Sequence, residues 1–309
     1  MHILITGGSG FLGQALTKEA CKQDDVTITW VSRNTNTPKS EGISGLNIID
    51  YDELKTCQTH FDVIINLAGA GIADKRWSTA RKKVLFDSRL NPTQAILDYI
   101  AQAHTKPKLF ISGSAIGWYG AQIGDEILTE QSPAQTNDFA HSLCQQWEDL
   151  AITANQYNVP VAIIRTGVVI SPTGGMITKL KTPFSLGVGG NLGNGKQIMS
   201  WISVNDWVRA VLFIIKQNAA LNKQSTQLTP KQIYNLTAPT AVNNREFTKA
   251  VGSWLNRPTV LHQPAFVVKQ LFGEMATLLI DGQNVYPQNL LDMGFKFEHG
   301  SVGEALNSE

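Results

Sequence analysis

The chain has little of three things: cysteine, unbalanced charge and long hydrophobic runs. Its 309 residues include three cysteines, Cys21, Cys57 and Cys144, in neither CxxC nor metal-ligand spacing. This odd, scattered set argues against a disulfide framework and favours a reducing compartment. The formal net charge of +1 argues against nucleic acid or a membrane surface as the main partner. No apolar run approaches the roughly 20 residues that a membrane-spanning helix needs.

What the chain does contain is typical of a soluble globular protein, with 42% hydrophobic and 17% charged residues. The length suits one large α/β domain with an appended lobe. The apolar start, residues 1–6, is too short for a signal peptide and is needed as a strand. We therefore expect a cytoplasmic protein that acts on a small molecule and has no metal site.

A glycine-rich turn near the amino terminus joins a strand to a helix. The strand is the apolar run at residues 1–6, and the helix covers residues 14–20. The turn carries three glycines with the spacing G-x-x-G-x-x-G. The first permits a tight turn, the second lets the backbone approach a pyrophosphate, and the third lets the helix pack close to the strand. The helix start would then offer its N–H groups to the phosphates, although a plain strand–helix turn is the alternative. The dinucleotide-binding residues expected here are Gly7, Gly10, Phe11, Leu12 and Gly13.

The end of the second strand, residues 26–31, indicates which dinucleotide is bound. The strand is followed by Ser32 and Arg33, with no acid beside them. An acid here would bind a ribose 2′-hydroxyl, whereas an arginine suits a 2′-phosphate because a guanidinium can grip it bidentately. The sequence therefore favours NADP(H) over NAD(H), with Ser32 and Arg33 as cofactor-binding residues. The alternative is an ordinary solvated arginine.

A fourth strand begins at Asp62 and runs into a small-residue turn. Its continuous apolar run indicates a strand that is buried on both faces of a parallel sheet. Small residues fit where a ligand presses on the chain, so Ala68 and Gly69 are assigned to the cofactor site, together with Leu67 before them. Before this strand, Asp50 follows a short third strand, and it either binds an adenine amino group or caps the next helix.

A long helix is expected over about residues 78–103, with a proline in its interior. Pro92 should kink or restart this helix because it lacks an N–H group. Arg89, next to that break, is a candidate ligand for an anion of the cofactor or the substrate. The other basic residues of the region are expected to form a solvated face.

The fifth strand, residues 108–111, ends in the segment 112–120. Together with the glycine turn and the Asn-Leu-Ala-Gly segment at 66–69, it resembles the short-chain dehydrogenase/reductase superfamily, in its extended, epimerase-like branch. In that branch a serine holds the substrate oxygen, and the resemblance gives this role to Ser114. The branch has the pattern Ser-x-x-x-Tyr-Gly here. This chain has one more residue before Tyr119, which the resemblance makes the second candidate catalytic residue. Without the resemblance, Ser114 is a serine that ends a strand and caps a turn.

The next helix departs from the superfamily pattern. The superfamily moves a proton with a Tyr-x-x-x-Lys pair, whose spacing puts both side chains on one helix face. At the spacing expected after Tyr119, the two positions are Phe139 and Leu143, and neither side chain can move a proton. The proton donors left near that face are Ser114, Tyr119 and His141.

Five further segments, spread over much of the chain, carry a narrower resemblance: 72–77, 88–89, 144–148, 165–169 and 183–190. They resemble the "epimerase family protein" group of atypical extended short-chain dehydrogenases, and the resemblance covers nearly the whole chain. The group implies NADP(H) binding, nicotinamide contacts around Val169, and a C-terminal module of its own from about residue 257.

The expected fold is α/β: a Rossmann-type doubly wound parallel sheet with a smaller C-terminal α+β substrate lobe. Residues 1–220 would form the NADP-binding domain with part of the substrate lobe, and residues 221–309 the rest of that lobe. The glycine-rich segment 174–195 is expected to be a flexible loop that could close over an anionic substrate. Amphipathic helices are expected at 264–272 and 283–292. The C-terminal module could wall the substrate pocket or form a homodimer interface.

One segment near the substrate departs further from the group. A histidine and an acid that are usual there are replaced by Ser203 and Asn205, and Asp206 is expected to cap the following helix.

Two functions therefore stay open. The first is an NADP(H)-dependent oxidoreductase or nucleotide-sugar-epimerase-like enzyme with an unusual proton donor. The second is an NADPH-binding sensor or assembly factor with little or no catalysis. The missing tyrosine and lysine favour the second function, whereas the glycine turn and the substrate lobe favour the first.

Overall fold

The computed structural model describes residues 1–35, 43, 45–122, 124–224 and 232–308. Within these residues, seven strands form one parallel sheet: β1 (His2–Thr6), β2 (Thr27–Val31), β3 (Leu46–Ile49), β4 (Val63–Asn66), β5 (Leu109–Ala115), β6 (Val161–Thr166) and β11 (Gln232–Leu236). Their order in the sheet is β11-β6-β5-β4-β1-β2-β3. The order runs outward from β1 in both directions, which confirms the expected Rossmann-type doubly wound fold.

Helices cover both faces of this sheet. Along β1, Ile3 and Ile5 pack into one core, and Leu4 packs into the core on the opposite face. This two-sided burial explains why the central strands are continuously apolar. The flanking helices are α1 (Phe11–Ala20) and α6 (Val204–Gln224) on the first face, and α2 (Tyr51–Thr56), α3 (Thr79–Gln102) and α4 (Phe139–Ile152) on the other.

The long helix α3 runs through Pro92 as one element. Of the two outcomes expected at this proline, the restart is therefore wrong, and the kink stays a prediction. A proline removes one hydrogen bond, whereas α3 buries side chains on both sides of it, from Leu85 to Ile100. Ser78 caps the helix by accepting from the N–H of Arg81 at 3.1 Å.

The C-terminal lobe consists of short strands and helices around a smaller core, which includes Trp201 and Phe247. Three two-stranded sheets occur within its described residues, pairing β7 with β10, β8 with β13, and β9 with β12. The strands are β7 (Val168–Ser171), β8 (Gly190–Leu192), β9 (Ile198–Met199), β10 (Trp201–Ser203), β12 (Val242–Asn243) and β13 (Leu261–Gln263). The helices are α5 (Gly175–Ser185), α7 (Asn244–Leu255), α8 (Ala265–Phe272), α9 (Thr277–Ile280), α10 (Gln288–Asp292) and α11 (Val302–Leu306).

Two expectations for this lobe need correction. The glycine-rich segment 174–195 is not one long loop, because it contains α5 and β8. Of the helix expected at 283–292, only α10 forms. The residues before it lie extended, and the N–H of Tyr286 donates to the carbonyl of Leu128 at 2.8 Å. The expected domain division at residue 220 stays a prediction, although β11, beyond that point, belongs to the central sheet.

Among the described residues, every helix is too short or too polar to cross a membrane.

Candidate functional site

The glycine turn between β1 and α1 is shaped by close backbone contacts. Gly7 has φ +72°, and a Cβ on it would lie 2.6 Å from the carbonyl carbon of Leu67. A Cβ on Gly13 would lie 2.5 Å from the carbonyl oxygen of Gly7. Both positions therefore require glycine to keep β1, β4 and α1 together.

Gly10 has a different role from the other two glycines. It is the N-cap of α1 in extended conformation, with no side chain capping the helix. A Cβ on Gly10 would meet nothing closer than the Gly7 carbonyl oxygen, at 3.1 Å. The first-turn N–H groups, including those of Phe11 and Leu12, have no intrahelical partner. A helix start whose first N–H groups are not covered by a capping side chain fits a pyrophosphate.

A fourth glycine in this turn was missed in the sequence reasoning. A Cβ on Gly8 would lie 2.3 Å from the ring of Trp30. Trp30 is buried in β2, and its indole N–H donates to the Thr17 hydroxyl at 2.8 Å. Gly8 therefore serves packing between the turn and β2.

The end of β4 is fixed by Asn66, which was also missed. Its amide oxygen accepts from the hydroxyl of Thr6 at 2.6 Å and from the N–H of Ala68 at 3.2 Å. Its amide nitrogen donates to the hydroxyl of Thr93 at 2.8 Å. One buried amide thus joins β1, α3 and the turn that contains Leu67, Ala68 and Gly69.

Arg89 lies directly against that turn. A Cβ on Gly69 would lie 3.1 Å from the Arg89 Cζ. The guanidinium donates from Nη1 to the carbonyls of Leu85 at 3.0 Å and Ala70 at 3.3 Å. Its Cζ lies 5.3 Å from the centre of the Trp147 ring. Arg89, a candidate ligand for an anion of the cofactor or the substrate, therefore lies against the predicted cofactor turn, and its role stays a prediction.

The end of β2 carries Ser32 and Arg33. Arg33 is exposed, and no carboxylate among the described residues is bonded to it. The Ser32 hydroxyl donates to the carbonyl of Asn34 at 2.8 Å. Of the two roles left open for Asp50, the structure shows the cap: its Oδ1 accepts from the N–H of Glu53 at 2.8 Å.

Ser114, at the end of β5, is held in a buried ionic cluster. Its hydroxyl donates to Oε1 of Glu148 at 2.7 Å. Arg165 on β6 donates from Nε to the same oxygen at 2.8 Å and from Nη2 to Oε2 at 2.9 Å. Burial alone would lower the pKa of Arg165, but its bonds to Glu148 raise it. Because the carboxylate only accepts, the single Ser114 proton is committed to Glu148.

The residues of α4 that face Ser114 lie one position later in the sequence than the spacing predicts, so Phe139 and Leu143 do not face it. Phe139 instead packs 4.7 Å from the Trp77 ring, and Leu143 is buried near Leu85. The residues on the Ser114 side include Cys144, whose thiol pKa is raised by burial to about 11. From Phe139 to Ile152, α4 contains neither tyrosine nor lysine.

The other two candidate proton donors are enclosed by protein. Tyr119 is fully buried, with its hydroxyl 2.9 Å from both the carbonyl of Thr129 and Oδ1 of Asn235. Burial raises its pKa. His141 is also buried, and its Nδ1 contacts the carbonyl of Trp118.

Val169 and Phe11 both lie beside the start of α5. Val169 lies in β7 beside Ile202 of β10. A Cβ on Gly174 would lie 2.0 Å from the Phe11 ring, so α5 begins in direct contact with the start of α1. A Cβ on Gly175 would lie 3.4 Å from the carbonyl oxygen of Val169.

The expected cap of α6 also needs correction. The cap is Ser203, whose hydroxyl accepts from the N–H of Asp206 at 3.0 Å. The Asp206 carboxylate instead accepts from the N–H groups of Glu298 at 2.9 Å and His299 at 3.0 Å. It therefore fastens the C-terminal segment to α6.

Comparison with known proteins agrees with this geometry. Residues 3–237 match the model of the NAD dependent epimerase/dehydratase family, and residues 263–309 match a Domain of unknown function (DUF1731). "Epimerase family protein Mb2239" of Mycobacterium bovis is 38% identical, over 98% of this chain and 96% of its own length. "Epimerase family protein SDR39U1 homolog, chloroplastic" of Arabidopsis thaliana is 33% identical, over 100% and 86%.

Solved structures give the same result. Human epimerase family protein SDR39U1 (isoform2) with NADPH superimposes with a TM-score of 0.86 at 29% identity, covering 100% of this chain and 98% of that one. UDP-glucuronic acid 4-epimerase from Bacillus cereus, at 17% identity and a TM-score of 0.77 over 100% and 98%, shares the fold. The glycine turn, the seven-stranded sheet and these matches together show that the chain belongs to the NAD dependent epimerase/dehydratase family.

Proposed function

We propose that this protein binds NADP(H) and acts as an oxidoreductase or nucleotide-sugar-epimerase-like enzyme that works without the Tyr-x-x-x-Lys pair. The observation that carries the proposal is the uncapped start of α1, where no capping side chain covers the first-turn N–H groups. Backbone amides and a helix N-terminus in this arrangement favour a diphosphate.

The preference for the phosphorylated cofactor rests on Arg33. An exposed guanidinium at the end of β2, to which no carboxylate of the described residues is bonded, can pair bidentately with a 2′-phosphate. The NADPH in the human SDR39U1 structure supports the same choice. When bound, the nicotinamide would supply or accept a hydride. The residues that would hold the cofactor are Gly7, Gly10, Phe11, Leu12, Gly13, Ser32, Arg33, Leu67, Ala68, Gly69, Arg89 and Val169.

Calorimetric titration with NADPH and NADH tests this choice. We expect tighter binding of NADPH, and we expect Arg33→Ala to weaken NADPH binding by at least about tenfold while changing NADH binding little. Lys22→Ala is the control, since Lys22 is an exposed cation just after the end of α1, where it pairs with Glu19. Equal losses for both cofactors would refute the assignment of Arg33, and no binding of either would refute the proposal.

The catalytic part of the proposal assigns roles to Ser114 and Tyr119. Ser114 keeps two lone pairs after donating to Glu148, so it can accept a hydrogen bond from a substrate hydroxyl. Tyr119 would act by supporting Arg165, whose guanidinium lies 5.1 Å from its ring. A screen of carbonyl substrates that follows NADPH absorbance tests turnover. Ser114→Ala should reduce turnover, and so should Tyr119→Leu, which removes the ring beside Arg165.

A second function, an NADPH-binding sensor or assembly factor with little or no catalysis, is favoured by one observation. The Ser114-facing side of α4 presents Cys144, whose raised pKa keeps it a neutral thiol, and Glu148, which is already paired. Tight NADPH binding without turnover of any carbonyl substrate would select this function. The cytoplasm is the proposed location because all three cysteines are free.

A further inference from the structure

The crevice between the ends of β1 and β4 is flanked by two segments assigned to the cofactor. The start of α1 follows β1, and the turn at residues 67–69 follows β4. These two strands are neighbours in the sheet, and the chain continues from β1 to β2 on one side and from β4 to β5 on the other. Ligands of open α/β sheets bind at such a reversal of strand order. A cofactor held by both segments therefore crosses this crevice.

Helix α5 contacts the first side of this crevice at its beginning. A Cβ on Gly174, which precedes α5, would lie 2.0 Å from the ring of Phe11, the first residue of α1. Phe11 is among the residues assigned to the diphosphate. The buried side chains of Ile177 and Phe184 attach α5 to the core of the C-terminal lobe. Through α5, this lobe therefore contacts the helix start that would bind the cofactor.

The same helix reaches the second side of the crevice little more than one turn later. Nζ of Lys179 lies 2.5 Å from Oδ1 of Asp74, in the loop between β4 and α3. A helix rises 1.5 Å per residue, so the five residues from Gly174 to Lys179 span about 7.5 Å. Helix α5 therefore extends from the start of α1 to the loop after β4 and is attached at both sides of the crevice.

The loop that carries Asp74 is tightly folded. A Cβ on Gly71 would lie 2.3 Å from Oδ2 of Asp74, and Nη2 of Arg81 donates to the carbonyl of Gly71 at 2.5 Å. The hydrogen bond from Lys179 is the main cause that lowers the pKa of Asp74, so the carboxylate is charged at neutral pH. The loop thus presents a fixed negative charge to α5.

We propose that α5 is a strap across the cofactor crevice and that the Lys179–Asp74 ion pair is the latch that slows the release of NADPH. The inference rests on the proposed function and adds what controls cofactor exchange. The two side chains are 55% and 50% exposed. Exposed pairs contribute little free energy and are screened by salt, so this latch can open in each binding cycle. Closure of such elements over a ligand often sets the rate of release.

Asp74→Asn tests the latch most sharply, because the alternative explanation predicts the opposite sign. Removing a negative charge near an anionic cofactor should, by simple attraction, slow its release. Opening the latch should instead speed release by about two- to fivefold at low salt. Stopped-flow measures this rate when bound NADPH is displaced by excess NADP⁺ and its fluorescence is followed. In about 1 M salt, the wild type and the variant should release NADPH at the same rate.

Two further variants separate the latch from a general charge effect. Lys179→Ala should also speed release, and the double variant Asp74→Asn/Lys179→Ala should release at about the rate of Lys179→Ala, because both changes remove one contact. Lys181→Ala is the matched control: it removes the same charge from the same helix, but Lys181 lies over the Trp254 ring, 5.1 Å from its centre. This control should leave the release rate unchanged.

Slower or unchanged release from Asp74→Asn, additive effects in the double variant, or the same acceleration in Lys181→Ala would each overturn the proposal. If the wild type binds no NADPH, the proposed function fails. Hydrogen exchange of the α5 amides in the protein alone then decides whether the ion pair holds this helix. Asp74→Asn should speed that exchange, and unchanged exchange would show that α5 is not fastened by the pair.

Discussion

The two halves of the candidate site are built in opposite ways. The glycine turn around α1 uses backbone groups and the absence of side chains, with no charge in its first helical turn. The cluster between β5, α4 and β6 uses a fully buried ion pair, in which Glu148 and Arg165 are each about 1% exposed. The first half leaves its hydrogen-bond donors free for a ligand, whereas the second satisfies its acceptors internally. We infer from this difference that the glycine turn binds the ligand, whereas the buried ion pair stabilises the fold around it.

The largest expected effect comes from breaking the ion pair. Glu148→Gln should destabilise the protein by about 3–5 kcal/mol because it leaves the buried Arg165 charge uncompensated. Urea unfolding measures this. The double variant Glu148→Leu/Arg165→Met leaves no buried charge, so it should lose less unfolding free energy than Glu148→Gln. Lys83→Gln, in an exposed pair, should cost less than about 1 kcal/mol. If Glu148→Gln lowers the free energy of unfolding by no more than Lys83→Gln does, the buried ion pair does not stabilise the fold.

The next largest effect should come from Gly7. Gly7→Ala combines φ +72° with a Cβ 2.6 Å from the backbone of Leu67, and backbone cannot move aside as a flexible side chain can. We expect a loss of about 2 kcal/mol or more in urea unfolding. The control is Gly294→Ala, where φ is +83° but nothing lies within 4 Å of the new Cβ. Equal losses at both positions would mean that strain alone matters and that the contact with β4 does not.

Gly10→Ala should separate binding from folding. Its backbone is extended, and the new Cβ would approach only the Gly7 carbonyl oxygen, at 3.1 Å. Unfolding free energy should therefore fall by less than in Gly7→Ala, since the Gly7 oxygen has to shift by only a few tenths of an ångström. NADPH affinity should fall by at least about tenfold because the Cβ lies beside the helix start. Calorimetry on the folded variant measures this. Retained affinity would move the diphosphate away from this turn.

The sequence predicted the glycine turn well because its parts are local. Gly7, Gly10 and Gly13 lie within seven residues of one another, and the strand and helix around them follow from short apolar patterns. The sheet and its buried strands were predictable for the same reason. The positions of the glycines indicate the backbone conformation of the turn, so the turn could be predicted without knowing where any side chain lies.

The cluster around Ser114 was not predictable in the same way. Glu148 lies 34 residues from Ser114 and 17 from Arg165, and the pairing depends on the rotation of α4 about its axis. Counting the superfamily's residue spacing from Tyr119 gave Phe139 and Leu143. The loop between Tyr119 and α4 does not fix which residues of α4 face β5, so this count was off by one residue. A shift of one residue turns the helix by about 100° and exchanges the face that meets β5. The cap of α6 by Ser203 was missed because Asp206 is bonded to a distant segment, residues 298–299.

The smallest expected effect concerns Cys144 and appears only at alkaline pH. Burial raises its pKa from about 9 to about 11. Between these values the unfolded chain loses the thiol proton and the folded chain keeps it, so stability falls as pH rises, by up to about 1.4 kcal/mol per pH unit. Urea unfolding at pH 8 and pH 10 should show a steeper loss for the wild type than for Cys144→Ala. Below pH 8 the difference between the two proteins should be independent of pH. If the two proteins lose stability equally between pH 8 and pH 10, the thiol is exposed to solvent, and the α4 face that meets Ser114 is open rather than sealed.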